Sequence, residues 1–232
     1  MVEVFFNGPD GRIEGRYTPG EHKDSPVALV LHPHPLHGGT MNNKVVYTMY
    51  QSFIQNGFAT LRINFRGVGR SQGKFDNGVG ELTDAATALD WLQDQNEFAN
   101  NFWISGFSFG AWIALQLLMR RPEIQHFVAV SPPAGKYDFS FLSPCPTSGF
   151  IVQGDKDSIV AEQAVADFAN KLNKQRGIEV GYKVVHGGDH FFREKLDMLK
   201  DAIDEHIKYK MSISKPKKIK HDRRRRQQSQ ED

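Results

Sequence analysis

Asn101-Phe-Trp-Ile-Ser-Gly-Phe-Ser-Phe-Gly-Ala-Trp-Ile-Ala-Leu-Gln-Leu-Leu-Met119 decides how the rest of the chain is read. Phe102 to Ser105 is apolar and rich in strand formers. Ala111 to Met119 is apolar almost throughout and rich in Ala and Leu, which suits a buried helix. Between them stands Gly106-Phe-Ser-Phe-Gly110, a G-x-S-x-G turn with an expected strand before it and an expected helix behind it. So tight a turn forces Ser108 into a strained backbone conformation and crowds the positions two residues away. Glycine there has no Cβ to clash. A helix starting just behind the serine turns its first amides toward any oxyanion formed at that point.

Outward from this turn the pattern is regular. Upstream, Val2 to Phe6 and Arg12 to Tyr17 flank the turn signal Asn7-Gly-Pro-Asp-Gly11 and read as an antiparallel hairpin. Val27 to Leu31 is an unbroken apolar run, as expected of a strand buried on both faces. A helix follows over Lys44 to Gln55, then a strand over Ala59 to Phe65 and a helix over Gly80 to Gln95. Downstream come strands at His126 to Val130, Gly149 to Gln153 and Val180 to Val185. Helices are expected over Ala161 to Asn173 and Phe191 to Met211. A hairpin followed by alternating strands and helices predicts an α/β fold: a mostly parallel sheet of about eight strands with helices on both faces. The stretch from Ser131 to Ser148 is too short to hold a sizeable cap domain, so an open pocket is expected.

Composition narrows the setting. At 232 residues, 39% apolar and 24% charged, the chain suits one α/β domain, placed here at residues 1–211. No apolar run approaches a membrane span, and the N-terminus lacks the pattern of a secretory signal. One cysteine, Cys145, excludes an internal disulfide framework and reads as a loop thiol. Together these point to a reducing cytoplasm. The net charge of +2 is uneven: eight basic and three acidic residues from Lys215 onward put +5 there and leave −3 on the rest. The pI near 8.6 therefore belongs to the tail and is no argument for a basic active site. Residues 212–232, polar and charged with Arg223 to Arg226 in a row, are expected to be a disordered, solvated extension. Weak binding of nucleic acid or anionic lipid is the sharper reading of that tail.

The serine turn in its strand-to-helix setting resembles the nucleophile elbow of the α/β-hydrolases. Residues 1 to about 210 are similar to the small capless serine hydrolases related to dienelactone hydrolases and acyl-peptidase catalytic domains. A serine hydroxyl needs a base within hydrogen-bond reach, and the base needs an anionic partner. In doubly wound sheets such groups gather at the carboxyl ends of strands. Asp155 and Asp157 both follow the Gly149 to Gln153 strand, and His186 and His190 both follow the last strand. The family places its acid in a G-x-x-D loop, which Gly154-Asp-Lys-Asp157 matches, so the resemblance selects Asp157. A G-x-x-H-F type ending selects His190, ahead of Phe191. Asp155 is then a loop residue capping amides, and His186 a structural or pocket-edge histidine.

The resemblance implies two backbone N–H donors for the oxyanion. One is Phe109, directly after the nucleophile. The other lies in the loop after Leu31, His32-Pro-His-Pro35, where the prolines have no N–H and His34 supplies the amide between them. Pro33 departs from the glycine usual in the family. Arg66-Gly-Val-Gly-Arg-Ser-Gln-Gly73 is similar to the family's R-G-x-G-x-S-x-G loop and reads as a tight structural turn. Anion binding by Arg66 or Arg70 is the other reading.

These residues imply hydrolysis of an ester, thioester or amide of a small acyl substrate through an acyl-enzyme, with no metal or organic cofactor. Two other readings compete. His32, His34 and His37 have the spacing of a zinc-hydrolase histidine motif, although Leu36 stands where that motif needs Asp. A non-catalytic binding protein on a hydrolase fold is the second, because fold alone does not establish chemistry. Substrate identity and oligomeric state stay open.

Overall fold

Why a serine turn should meet loops from distant parts of the chain is answered by the strand order. A computed structural model describes residues 1–214. Its strands are β1 (Val2–Gly8), β2 (Gly11–Thr18), β3 (Val27–Leu31), β4 (Ala59–Ile63), β5 (Phe102–Phe107), β6 (Ile124–Val130), β7 (Gly149–Gly154) and β8 (Val180–Val185). The helices are α1 (Lys44–Gln55), α2 (Val79–Asp94), α3 (Phe109–Leu118), α4 (Glu162–Asn173) and α5 (Leu196–Ser214). All eight strands join one sheet in the order β1-β2-β4-β3-β5-β6-β7-β8. The six strands from β4 to β8 run parallel, and the β1–β2 hairpin adds an antiparallel edge. From β3 the chain steps outward to β4 and then returns to place β5 on the other side of β3. The carboxyl ends of β3 and β5 thus form the topological switch point, the crevice where doubly wound sheets bind ligands.

The central strands are buried on both faces, which is why they read as continuous apolar runs. On one face α1 and α5 pack through Val45, Met49, Phe53, Leu199, Ile203 and Ile207 against Val30, Trp103 and Val128. On the other, α2, α3 and α4 bury Leu89, Ile113, Leu117, Val165 and Phe168 against Leu29, Ile104 and Ile151. The segment from Ser131 to Ser148 contains turns and no helix or strand of its own, so no cap covers the strand ends. Among the described residues no helix is long and apolar enough to cross a membrane.

Most boundaries shift by one or two residues, and the last helix differs more, at both ends. The last helix begins at Leu196 rather than Phe191, because Phe192 (φ 51°) and Glu194 (φ 59°) adopt left-handed backbone conformations that a helix cannot contain. It also runs on to Ser214, three residues into the stretch expected to be tail, because its backbone hydrogen bonding does not stop at Met211. Residues 215–232, which carry the Arg223 to Arg226 run, lie outside the described residues.

Candidate active site

Ser108 sits between β5 and α3 at φ 54° and ψ −120°, a conformation L-residues rarely adopt. The flanking glycines are dictated by contact distances. A Cβ on Gly106 would lie 2.2 Å from the Gly110 carbonyl oxygen. One on Gly110 would lie 2.5 Å from both the Leu31 and the His32 carbonyl oxygens. Gly110 is thus what lets the first turn of α3 press against the end of β3, bringing the His32–His34 loop beside the serine.

Three side chains from separate strand ends converge here. His190 Nε2 lies 3.1 Å from Ser108 Oγ, and His190 Nδ1 lies 2.7 Å from Asp157 Oδ2. The imidazole is 6% exposed and the Asp157 side chain 0%. An ionised carboxylate only accepts, so Nδ1 carries the ring proton and the Nε2 lone pair faces the serine hydroxyl. Phe107 and Phe191 flank the imidazole at 5.0 and 5.2 Å between ring centres, the latter edge-on. Asp157 Oδ1 accepts the Ile159 and Val160 N–H groups, each at 2.8 Å. Burial alone would raise the Asp157 pKa. The hydrogen bond from His190 and the backbone amides outweigh it and hold the carboxyl below its ordinary value.

The neighbouring acid and histidine form a different pair. Asp155 accepts from His186 Nδ1 at 3.0 Å and from the Gly187 N–H at 2.7 Å, and the His186 side chain is 83% exposed. Asp155 therefore caps an amide of the loop after β8 rather than of its own loop, and neither residue reaches Ser108.

The loop after β3 is built around His32. Its Nε2 accepts the Phe65 N–H at 3.0 Å, so its Nδ1 bears the proton and donates to the Pro33 carbonyl at 2.6 Å. Burial lowers its pKa to about 4, so the ring is neutral. With both ring nitrogens committed, His32 has no lone pair for a metal, and the His32/His34/His37 zinc reading fails on that residue. His34 instead accepts the Leu36 N–H at Nδ1, and its ring lies against Phe75, Phe109 and His37. The backbone N–H groups of His34 and Phe109 donate to no acceptor among the described residues.

The Arg66 to Gly73 loop is a structural turn. Asp84 takes the Arg66 backbone N–H at 2.9 Å, Nη2 at 2.8 Å and Nε at 3.1 Å. Ser71 accepts the Glu14 N–H and donates to the Asn64 carbonyl. Arg70 pairs with Glu3 at 2.9 Å. Both arginines are thus held by carboxylates. Two cavities flank the site. One of about 470 Å³ is lined by Asn43, Lys44, Phe191, Arg193, Glu194 and Leu196. The other, of about 270 Å³, lies between Leu36, Phe75 and the Arg66 loop.

Residues 16–230 match the family model of the X-Pro dipeptidyl-peptidases, the S15 family. The chain belongs to the S15 family of α/β-hydrolases. An uncharacterised protein of Rickettsia prowazekii (strain Madrid E) is 59% identical over 211 residues, 89% of each chain. A crystal structure of a protein of unknown function from Agrobacterium tumefaciens, described there as a candidate α/β-hydrolase, is 49% identical. It superposes with a TM-score of 0.89, covering 92% of this chain and 98% of that one. A serine hydrolase without a lid from Xanthomonas campestris is 32% identical, with a TM-score of 0.81 over 90% and 94% of the two chains. This S15-family chain shares the lidless architecture of the Xanthomonas protein.

One contributor to the site went unread in the sequence. Gln153, the penultimate residue of β7, donates from Nε2 to Asp157 Oδ2 at 3.0 Å. Its signal was a polar residue ending the apolar run Phe150-Ile-Val.

Proposed function

We propose that this S15-family protein cleaves an ester, thioester or amide bond through an acyl-enzyme on Ser108, with His190 as base and Asp157 as its anionic partner. The continuous chain of hydrogen bonds from Ser108 Oγ through His190 to Asp157 carries the reading. The Nε2 lone pair takes the serine proton as Oγ attacks the acyl carbon. The resulting imidazolium gains from Asp157, and Nε2 then protonates the leaving atom. A water deprotonated by the same nitrogen releases the acyl group. The N–H groups of Phe109 and His34 are the proposed oxyanion donors, each worth about 3 kcal/mol of transition-state stabilisation. The substrate is a small acyl compound held in the open crevice at the strand ends.

The name of the matched family favours an amide following proline as one substrate class to test. The experiment is a panel of p-nitrophenyl esters, thioesters and X-Pro p-nitroanilides, run on wild type, Ser108→Ala and His190→Ala, with fluorophosphonate labelling alongside. Wild type should label and turn over at least one class, and both variants should lose turnover while keeping the wild-type unfolding transition. Near wild-type turnover in either variant refutes the assignment. A wild type that neither labels nor hydrolyses leaves the binding-protein reading standing.

A further inference from the structure

Gln153 is fully buried near the end of β7. Its Nε2 donates to Asp157 Oδ2 at 3.0 Å and to the Val160 carbonyl at 3.1 Å, with the Gly154 carbonyl at 3.3 Å. Its Oε1 has no hydrogen-bond partner among the described residues. The amide is therefore engaged through nitrogen alone. Turning it over would set Oε1 against three oxygens, so the surroundings select this orientation. A buried amide idle at one end is a poor core residue, and Met or Leu would fill the strand end without a polar atom to satisfy.

Asp157 explains the choice. Its Oδ1 is taken by two backbone amides, while its Oδ2 is shared between His190 Nδ1 at 2.7 Å and Gln153 Nε2 at 3.0 Å. Gln153 thus contacts the same atom on which His190 depends. We propose that Gln153 is a positioning residue for the reaction, holding Asp157 Oδ2 where it keeps the His190 imidazole turned toward Ser108. This deepens the proposed function and rests on its assignment of Ser108, His190 and Asp157. Gln153 acts through Asp157 and contacts neither the serine nor the imidazole. Its N–H also draws charge away from Oδ2. Losing it leaves a more negative oxygen facing the imidazolium, which favours the protonated ring.

Gln153→Met keeps the volume and removes the donor. With p-nitrophenyl acetate, kcat should fall about 10- to 100-fold, the equivalent of one charge-assisted hydrogen bond, while KM changes less than about threefold. The acid limb of the kcat/KM profile should move to higher pH by about half a unit. A merely structural glutamine would not move that limb. Gln153→Glu has the same shape and restores a donor only while its carboxyl is protonated. Its kcat should therefore recover relative to Gln153→Met as pH is lowered.

A Gln153→Met enzyme with kcat within twofold of wild type and an unmoved acid limb overturns the positioning role. So does a Gln153→Glu enzyme whose pH profile superimposes on that of wild type, which decides the matter even if the Met variant does not fold. Fluorophosphonate labelling separates the two levels of failure. A wild type that neither labels at Ser108 nor hydrolyses the ester removes the underlying assignment and the role of Gln153 with it. An active wild type beside an indifferent Gln153→Met removes the positioning role alone.

Discussion

Nε2 of His126 in β6 and Nε2 of His206 in α5 lie 2.7 Å apart, joining the sheet to the last helix inside an aromatic box. Trp103 lies 4.3 Å from the His126 ring and Phe150 stacks on the His206 ring at 4.2 Å. One nitrogen must donate and the other accept, so at most one ring can be protonated, and burial favours both being neutral. Burial lowers the His126 pKa to about 2, helped by His206 and Lys210, and lowers that of His206 to about 4, helped by Lys210. Both values lie below the 6.5 of an unperturbed histidine, so as pH falls the unfolded chain takes up protons first. The stability these rings contribute is complete above pH ~6.5 and is lost as pH falls through ~4 and on toward ~2. Each ring contributes a slope of at most about 1.4 kcal/mol per pH unit in that window. Urea unfolding between pH 7.5 and 4.5 should show a steeper loss for wild type than for the double variant His126→Leu/His206→Leu. Equal slopes would refute the coupling.

Asp157 sets the His190 tautomer, and that makes a sharper prediction than removing the acid altogether. In Asp157→Asn the side-chain amide can donate to Nδ1, which moves the ring proton to Nε2 and points it at Ser108. The proposed base is then blocked while shape is kept. kcat for p-nitrophenyl acetate should fall about 10³- to 10⁴-fold, with KM little changed. A loss under tenfold would mean that His190 is oriented by something other than Asp157.

Arg66 and Asp84 are buried together, their side chains 10% and 1% exposed, and the carboxylate also holds the Arg66 backbone N–H. Asp84→Ala leaves the guanidinium with the exposed Asp10 at 3.7 Å and unpairs that amide, and should destabilise the protein by up to about 3–5 kcal/mol in denaturant unfolding. Arg66→Met leaves a carboxylate that still has the backbone N–H, so it should cost less. Equal costs would show that the carboxylate's bond to the backbone N–H adds nothing beyond the ion pair.

What the sequence made legible were the elements with a local cause. β3, α1 and β8 fall where their apolar runs and caps put them, since one residue pattern settles each. Gly106 and Gly110 announced the turn because only glycine tolerates carbonyl oxygens so close. The start of α5 was not legible. Phe191-Phe192 continues an amphipathic helical pattern, and no Gly or Pro marks Phe192 and Glu194 as left-handed. That conformation follows from the loop that carries His190. Gln153 was hidden for a related reason: its partner Asp157 lies beyond a turn, and their contact depends on that turn's shape. His126 and His206 are eighty residues apart, so only the packing of α5 on the sheet brings them together.

In the proposed reaction, proton transfer from His190 would also place the leaving group. Nε2 has to reach the departing atom, so the leaving group lies on the His190 side of Ser108, where Phe191 is edge-on to the imidazole. Phe191 is also a wall of the cavity of about 470 Å³ that Leu196 helps to line. A bulky aromatic leaving group therefore has room there, with apolar contact from Phe191 and Leu196. Leu196→Trp would push a bulky ring into that cavity from the first turn of α5, at a residue outside the Ser108, His190 and Asp157 set. Its kcat/KM for 2-naphthyl acetate should fall at least about tenfold relative to that for methyl acetate, since a misfitted aromatic ring forfeits about 1–3 kcal/mol. The comparison of two acetates cancels any general damage to the enzyme. An unchanged ratio would place the leaving group outside this cavity.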